Sequence, residues 1–249
     1  MANIYHWLTG SLTDVYSGVQ LLQYDSNDIG TADSRYGSDS AFEIGADITT
    51  GATLYTAHSA GGDDDLPNLG TGDITVAFWW QPNSGSYGGG DANRYLFRAT
   101  PGGNGTSPLY IRNRATYLDH DEQDSYGITA TFKTSNYPNS DVSKDFQIDL
   151  TGNPWIKVYA SRINGVFNYT LFDATGSVLT DIDGNQATWS NSSYTNAIYD
   201  SSGSVPHILI GGNEDYGASA CGTYDDIFLA YGHGIAPPDR DWETEPLES

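Results

Sequence analysis

The segment GDITVAFWWQP, Gly72 to Pro82, leaves a folding chain few options. Ile74, Val76, Phe78 and Trp80 alternate with Thr75, Ala77, Trp79 and Gln81 before a proline, and a period of two places the first set on one face of a pleated strand. The second set is itself partly apolar, so both faces are expected to be covered and the strand to be central in its sheet. Near the two ends of the chain stand IYHWLTGSLTD, from Ile4, and GTYDDIFLAY, Gly222 to Tyr231. The first is an aromatic strand entering a turn, and the second is an alternating strand with acids at its entrance. They are expected to pair in one sheet.

PWIKVYASRINGVFNYTLFD, from Pro154, holds two alternating runs around Asn164 and Gly165. That dipeptide accepts the positive φ angles of a tight hairpin turn. HILIGGN, His207 to Asn213, is a short apolar run closed by glycines. The full strand expectation is 3–8, 19–24, 41–45, 52–57, 73–81, 93–98, 108–112, 126–133, 145–150, 154–163, 166–172, 206–211 and 222–231. Leu, Glu and Lys never assemble into an amphipathic window, so long helices are not expected.

Taken in order, HWLTGSLTDVYSG, AFEIG, ITVAFWWQP, WIKVYASRINGVFNYTLFD, ILIGG and GTYDDIFLAYG resemble the laminin G-like and pentraxin-like branch of the concanavalin A-like jelly rolls. The resemblance runs from about Ile4 to Pro237. It implies an all-β fold, a two-sheet antiparallel jelly-roll sandwich. A chain of 249 residues with 38% apolar content can bury one large core. We therefore expect one domain over 1–238 and an acidic tail over 239–249. Trp242 in that tail either folds back onto the sandwich or anchors a neighbouring subunit, which makes a homo-oligomer a candidate state.

The formal charge of −22, with ten lysines and arginines, excludes phosphate-driven nucleic-acid binding and docking on anionic lipid. Lysine occurs only at Lys133, Lys144 and Lys157. The aspartate excess reads either as salt adaptation or as turn residues of a loop-rich sandwich. Cys221 stands alone, so neither an internal disulfide nor a thiolate zinc site is available. No segment is apolar enough for membrane insertion, and MANIYHWL lacks the pattern of an export signal, so either a leader has been removed or the protein is made and assembled in the cytoplasm.

Catalysis in the resembled group implies glycoside hydrolysis, with Glu, Asp and Glu on alternate positions of one strand and two carboxyls about 5 Å apart. No such pattern occurs, and no catalytic residue is assigned. Calcium is the candidate cofactor: Asp63, Asp64 and Asp65 crowd GGDDDLPNLG, where either water screens them or an ion neutralises them. Asp14, and Asp225 with Asp226, are rival acidic sites, the last pair alternatively tying a turn. Tyr87, Trp189, Tyr194 and Tyr216 fall in expected loops beside Asn, Ser and Asp, the setting that stacks on sugar rings.

Relatives of the resembled fold work as adhesive or glycan-binding modules outside cells. The chain shows no export signal, and a virion assembled in host cytoplasm needs none. The expectation is a non-catalytic structural, decoration or adhesion protein of a virion surface, such as a phage capsid or tail accessory. Its partners would be surface glycans or other assembly proteins. Alternatives are a carbohydrate-binding module of a secreted, extracellular microbial protein and, further off, a glycan-cleaving enzyme.

Overall fold

The computed structural model describes residues 3–7, 11–13, 19–24, 29–35, 37–45, 53–56, 72–83, 94–101, 109–115, 125–134, 141–193, 206–212 and 220–231. All regular structure among them is β, in two antiparallel sheets. Eight strands form one sheet: β1 (Asn3–Trp7), β3 (Ile29–Ser34), β4 (Gly37–Ile44), β6 (Ile74–Gln81), β11 (Ile156–Ile163), β12 (Val166–Phe172), β13 (Thr188–Asn191) and β15 (Gly222–Tyr231). Seven form the other: β2 (Leu21–Tyr24), β5 (Thr53–Thr56), β7 (Arg94–Pro101), β8 (Leu109–Ala115), β9 (Ser125–Lys133), β10 (Asp141–Asp149) and β14 (Pro206–Ile210). The orders are β13-β12-β11-β6-β15-β4-β3, with β1 also on β15, and β10-β9-β8-β7-β14-β5-β2. This is the expected jelly-roll sandwich.

Each alternating segment takes the place its pattern dictates. Ile74, Val76, Phe78 and Trp80 of β6 enter the core between the sheets, while Ala77 joins a small cluster with Phe228 and Ala230 on the opposite face. Every residue from Ile74 to Trp80 is buried, as expected of a central strand. The ends of the chain do pair, Asn3 with Tyr231 through Trp7 with Ile227. Asn164 and Gly165 have φ of 51° and 79° between β11 and β12, the left-handed pair of a tight hairpin. Asp149, Asp173 and Asp181 accept backbone N–H groups two to four residues ahead, so these aspartates do shape turns.

Two strands lie outside the sequence expectation, β3 and β13. Their sequences, IGTADS and TWSN, carry little apolar alternation. They are edge strands held by backbone pairing to β4 and β12.

Aromatic rings join the sheets. Phe78 stacks on Phe97 at 6.3 Å, Phe132 meets Phe167 at 5.0 Å, and Phe146 lies against Tyr169 at 5.2 Å. The buried Tyr169 hydroxyl donates across the interface to the carbonyl of Ile128 at 2.8 Å. Removing a ring of this kind from such a core costs about 3–5 kcal/mol.

Gly222, at the start of β15, has φ of 142°. A Cβ there would stand 2.5 Å from the Gln81 carbonyl oxygen and 2.5 Å from Trp80 Nε1. That indole is fixed by donating to the Cys221 carbonyl at 3.3 Å. Gly222→Ala is expected to cost more than about 2 kcal/mol. The readout is a lower urea midpoint at unchanged m-value, and an unshifted midpoint would contradict this close approach.

Candidate functional site

On the seven-stranded sheet, the alternation that sends apolar side chains inward leaves a second set facing out. Leu109 and Ile111 of β8, Ile128, Ala130 and Phe132 of β9, and Val142, Phe146 and Ile148 of β10 are core. Tyr110 and Arg112, Thr129, Thr131 and Lys133, and Ser143, Asp145 and Gln147 therefore share the outer face. In β7 the pairing register shifts between Tyr95 and Phe97. Leu96 and Phe97 both enter the core across this bulge, so Tyr95 and Arg98, three apart, end on one face.

The result is a face on which aromatic, cationic and hydroxyl side chains adjoin, with Thr129, Thr131 and Leu209 buried among them. One row of paired residues crosses all seven strands: Leu22, Tyr55, Leu209, Arg98, Tyr110, Thr131 and Ser143. At the usual strand spacing it spans roughly 29 Å. The next row sets Tyr95 opposite Arg112, then Thr129 and Asp145. Tyr95 and Tyr110 meet edge to face at 5.6 Å. Arg98 lies 5.2 Å over Tyr95, Arg112 5.6 Å over Tyr110, and Lys133 5.9 Å over Tyr110. Lys133 also pairs with Asp141. Toward β10, Asp145 accepts from Thr129 at 2.6 Å and from Gln147 at 2.7 Å, and Ser143 donates to Thr131 at 3.0 Å. Gly127 makes room for this group: a Cβ there would stand 2.8 Å from Asp145 Oδ1. Tyr95, Arg98, Tyr110, Arg112 and Lys133 are all partly exposed.

The outer face of the eight-stranded sheet contrasts with it. Asp225, Trp79, Lys157 and Phe172 lie side by side across β15, β6, β11 and β12. Asp225 is 1% exposed and Lys157 7%. The Arg35 guanidinium lies 4.0 Å above the Trp79 ring and donates to the Ala174 carbonyl, strapping the face. The imidazole of His6 bonds the Asp226 carboxylate, and the Asp226 N–H donates to Asp225 Oδ1 at 2.8 Å. Asp226 thus links His6 to Asp225, and Lys157 is nearly buried in the same face.

A hollow of about 410 Å³ opens at the β11–β12 turn beside Asp73, Arg162 and Ser192. Asp73 Oδ1 there accepts from Arg162 at 3.1 Å and from the Asn164 N–H at 3.0 Å, which ties the hairpin. Among the described residues no aromatic ring lines it.

The loop aromatics fare differently from this face. Trp189 stands on the edge strand β13, not in a loop, paired with Tyr169 and packed against the inter-sheet core. Tyr87, Tyr194, Tyr216, Asp14, the three aspartates Asp63, Asp64 and Asp65, and the tail with Trp242 lie outside the described residues. Asp225 and Asp226 serve the bulge of β15 and its bond to His6. Among the described residues no three His, Cys, Asp or Glu side chains come together to hold a metal ion, so the calcium expectation has no support there. The outer-face tyrosines and arginines escaped sequence reasoning, although Tyr110-x-Arg112 and Thr129-x-Thr131-x-Lys133 display the alternation openly.

No protein-family model and no curated protein matches the sequence. Among solved structures, tailspike protein 2 of the Escherichia coli O157:H7 bacteriophage CAB120 is similar at a TM-score of 0.51 and 12% identity, over 83% of this chain and 24% of the tailspike. The enzymatically active domain of the CBA120 tailspike gives 0.51, 12% and 83%, over 27% of that chain. The botulinum neurotoxin serotype G binding domain gives 0.50 and 13% identity, over 93% of this chain and 48% of the other. The chain spans about a quarter of the tailspike chains and about half of the toxin chain. At such identities the likeness is one of fold.

The sealed face of the eight-stranded sheet makes stability depend on pH. Desolvation, and then the neighbouring Asp226 carboxylate, push Asp225 up from 3.8 to about 7. Desolvation pulls Lys157 down from 10.5 to about 7, against the pull of Asp226. From about pH 4 to 7 the folded chain holds a proton on Asp225 that the unfolded chain has lost, so this residue's contribution falls as pH rises. From about pH 7 to 10 the unfolded chain holds the extra proton, on Lys157, so that contribution rises with pH. Asp225→Asn keeps the acceptor for the Asp226 N–H. Its melting temperature relative to wild type is expected to climb between pH 5 and pH 8, measured by calorimetry; a constant difference would show Asp225 titrating normally.

Proposed function

We propose that this chain is a non-catalytic, carbohydrate-binding protein of a virion surface, a structural, decoration or adhesion component that holds glycan against the outer face of the seven-stranded sheet. One observation carries the reading: Tyr95 and Tyr110 lie in contact on a partly exposed sheet face, bordered by guanidinium, ammonium, hydroxyl and carboxylate groups. Sugar rings call for aromatic surface and their hydroxyls for fixed donors and acceptors, and this face supplies both along several strands. The virion part draws support from the fold shared with a bacteriophage tailspike. The acidity of the chain, −22, disfavours nucleic acid and anionic lipid as partners.

A second reading, glycan cleavage, has an observation of its own. A tailspike enzymatically active domain shares the fold over 27% of its own length, and here the Tyr110 ring lies within 6 Å of Arg112 and Lys133. Incubation with alginate and laminarin, followed for new reducing ends, separates the two. Binding without product supports the first reading, and product lost in Tyr110→Phe supports the second.

Glycan-array binding of the purified chain tests the proposal directly. Tyr110→Ala is expected to weaken the strongest interaction at least about tenfold, the equivalent of about 1.4 kcal/mol, with the urea midpoint unchanged. Absence of the native protein from purified particles, by mass spectrometry, would end the virion reading while leaving the glycan reading in place.

A further inference from the structure

We infer that the hollow at the β11–β12 turn is a second binding site, one that takes a single uncharged sugar unit by its hydroxyls. It lies on the eight-stranded sheet, away from the face that carries Tyr95 and Tyr110, and so stands apart from the reading of that face. Asp73 reaches it from just before β6, Arg162 from β11, Asn164, Gly165 and Val166 from the hairpin, and Ser192 from just after β13. Its volume of about 410 Å³ falls within the range of about 300–1,000 Å³ usual for small-molecule sites.

The polar groups here divide into a fixed set and a free set. Arg162 Nη1 and the Asn164 N–H both donate to Asp73 Oδ1, at 3.1 Å and 3.0 Å. Two donors on one oxygen hold the carboxylate in place, and the guanidinium offsets its charge. Arg162 acts only through Asp73. Left over are Asp73 Oδ2, the Asn164 side-chain amide and the Ser192 hydroxyl, which have no hydrogen-bond partner among the described residues. Asn164 and Ser192 are exposed. A carboxylate oxygen accepts, an amide donates and accepts, and a hydroxyl does both. Neighbouring sugar hydroxyls, each donor and acceptor at once, match that set; an anion would meet Asp73 Oδ2 head on, and a cation would leave the amide N–H groups unused. Val166 supplies an apolar side chain for the carbon face of the ring. A Cβ on Gly165 would meet nothing within 4 Å, so the space beside the turn is open to a ligand.

Titration of the isotope-labelled chain with the methyl glycosides of glucose, galactose and mannose, with glucuronate and with calcium chloride, followed by NMR, tests this. At least one neutral glycoside is expected to move the Asn164 side-chain amide resonances and the Gly165 backbone amide. Asn164→Gly keeps a residue that accepts the positive φ of the turn, and Ser192→Ala removes an exposed hydroxyl. Each is expected to weaken that glycoside at least about threefold, the worth of one ordinary hydrogen bond, at an unchanged melting temperature. Unchanged affinity in both variants overturns the site. Shifts confined to Tyr110, Thr129 and Thr131 overturn the inference and leave glycan binding on the seven-stranded sheet standing. Glucuronate bound more tightly than every neutral glycoside overturns the uncharged assignment. Calcium moving the hollow's resonances where no glycoside does overturns it in favour of a cation, and no response there to any probe overturns it outright.

Discussion

Strand β15 is paired along both edges by three different strands, and the fold closes around it. One edge runs against β6. The other is shared end to end: β4 pairs Gly222 to Tyr224, and β1 pairs Ile227 to Tyr231. The handover falls where the register against β6 shifts, between Asp225 and Phe228, with Asp226 at φ of 51°. An extra residue bends and twists a strand at such a point. Here it also aims a carboxylate at His6 of β1, so the bulge is bonded to the strand that takes over the edge. Trp7, next in β1, then enters the core and donates to the Val19 carbonyl at 3.1 Å. The bulge thus adds a side-chain bond to the backbone pairing of β1 with β15.

A bulge of the same kind in the other sheet has the opposite use. At Asp225–Asp226 the shifted parity gathers charge under a strapped, buried face; at Leu96 it gathers Tyr95 and Arg98 onto a partly exposed one. In each case two residues that strict alternation would send to opposite faces share one. The core is undisturbed because the displaced position is filled by an apolar side chain, Ile227 in β15 and Leu96 in β7. Such bulges re-aim side chains without a cost in packing, which is why sheets carry them near sites of recognition.

The architecture was readable from the sequence wherever side chains, not partners, set the structure. The alternation of Ile74 to Trp80, the Asn164–Gly165 turn and the apolar GTYDDIFLAY each carry their own instruction, and each forms the expected element. Strands β3 and β13 carry none, because polar edge strands are fixed by the neighbour they pair with. The site was less readable for a related reason. Tyr110, Arg112, Thr129 and Asp145 occupy the outward positions of expected strands, where polar residues look like an ordinary solvated face. Only the pairing register shows that they meet, and nothing in RYLFRA announces that Leu96 breaks the alternation. Searching loops for aromatics passed over them.

The same residue types follow different fates on the two outer faces, and burial decides which. Lys157, desolvated beside Trp79, is held down from 10.5 to about 7. Arg98 and Arg112 lie over tyrosine rings at a partly exposed surface. The surrounding −22 repels any polyanion, but at physiological salt that field is largely screened beyond about 8 Å. What this face presents is therefore set by which side chains the register brings together between neighbouring strands and not by the charge of the chain as a whole.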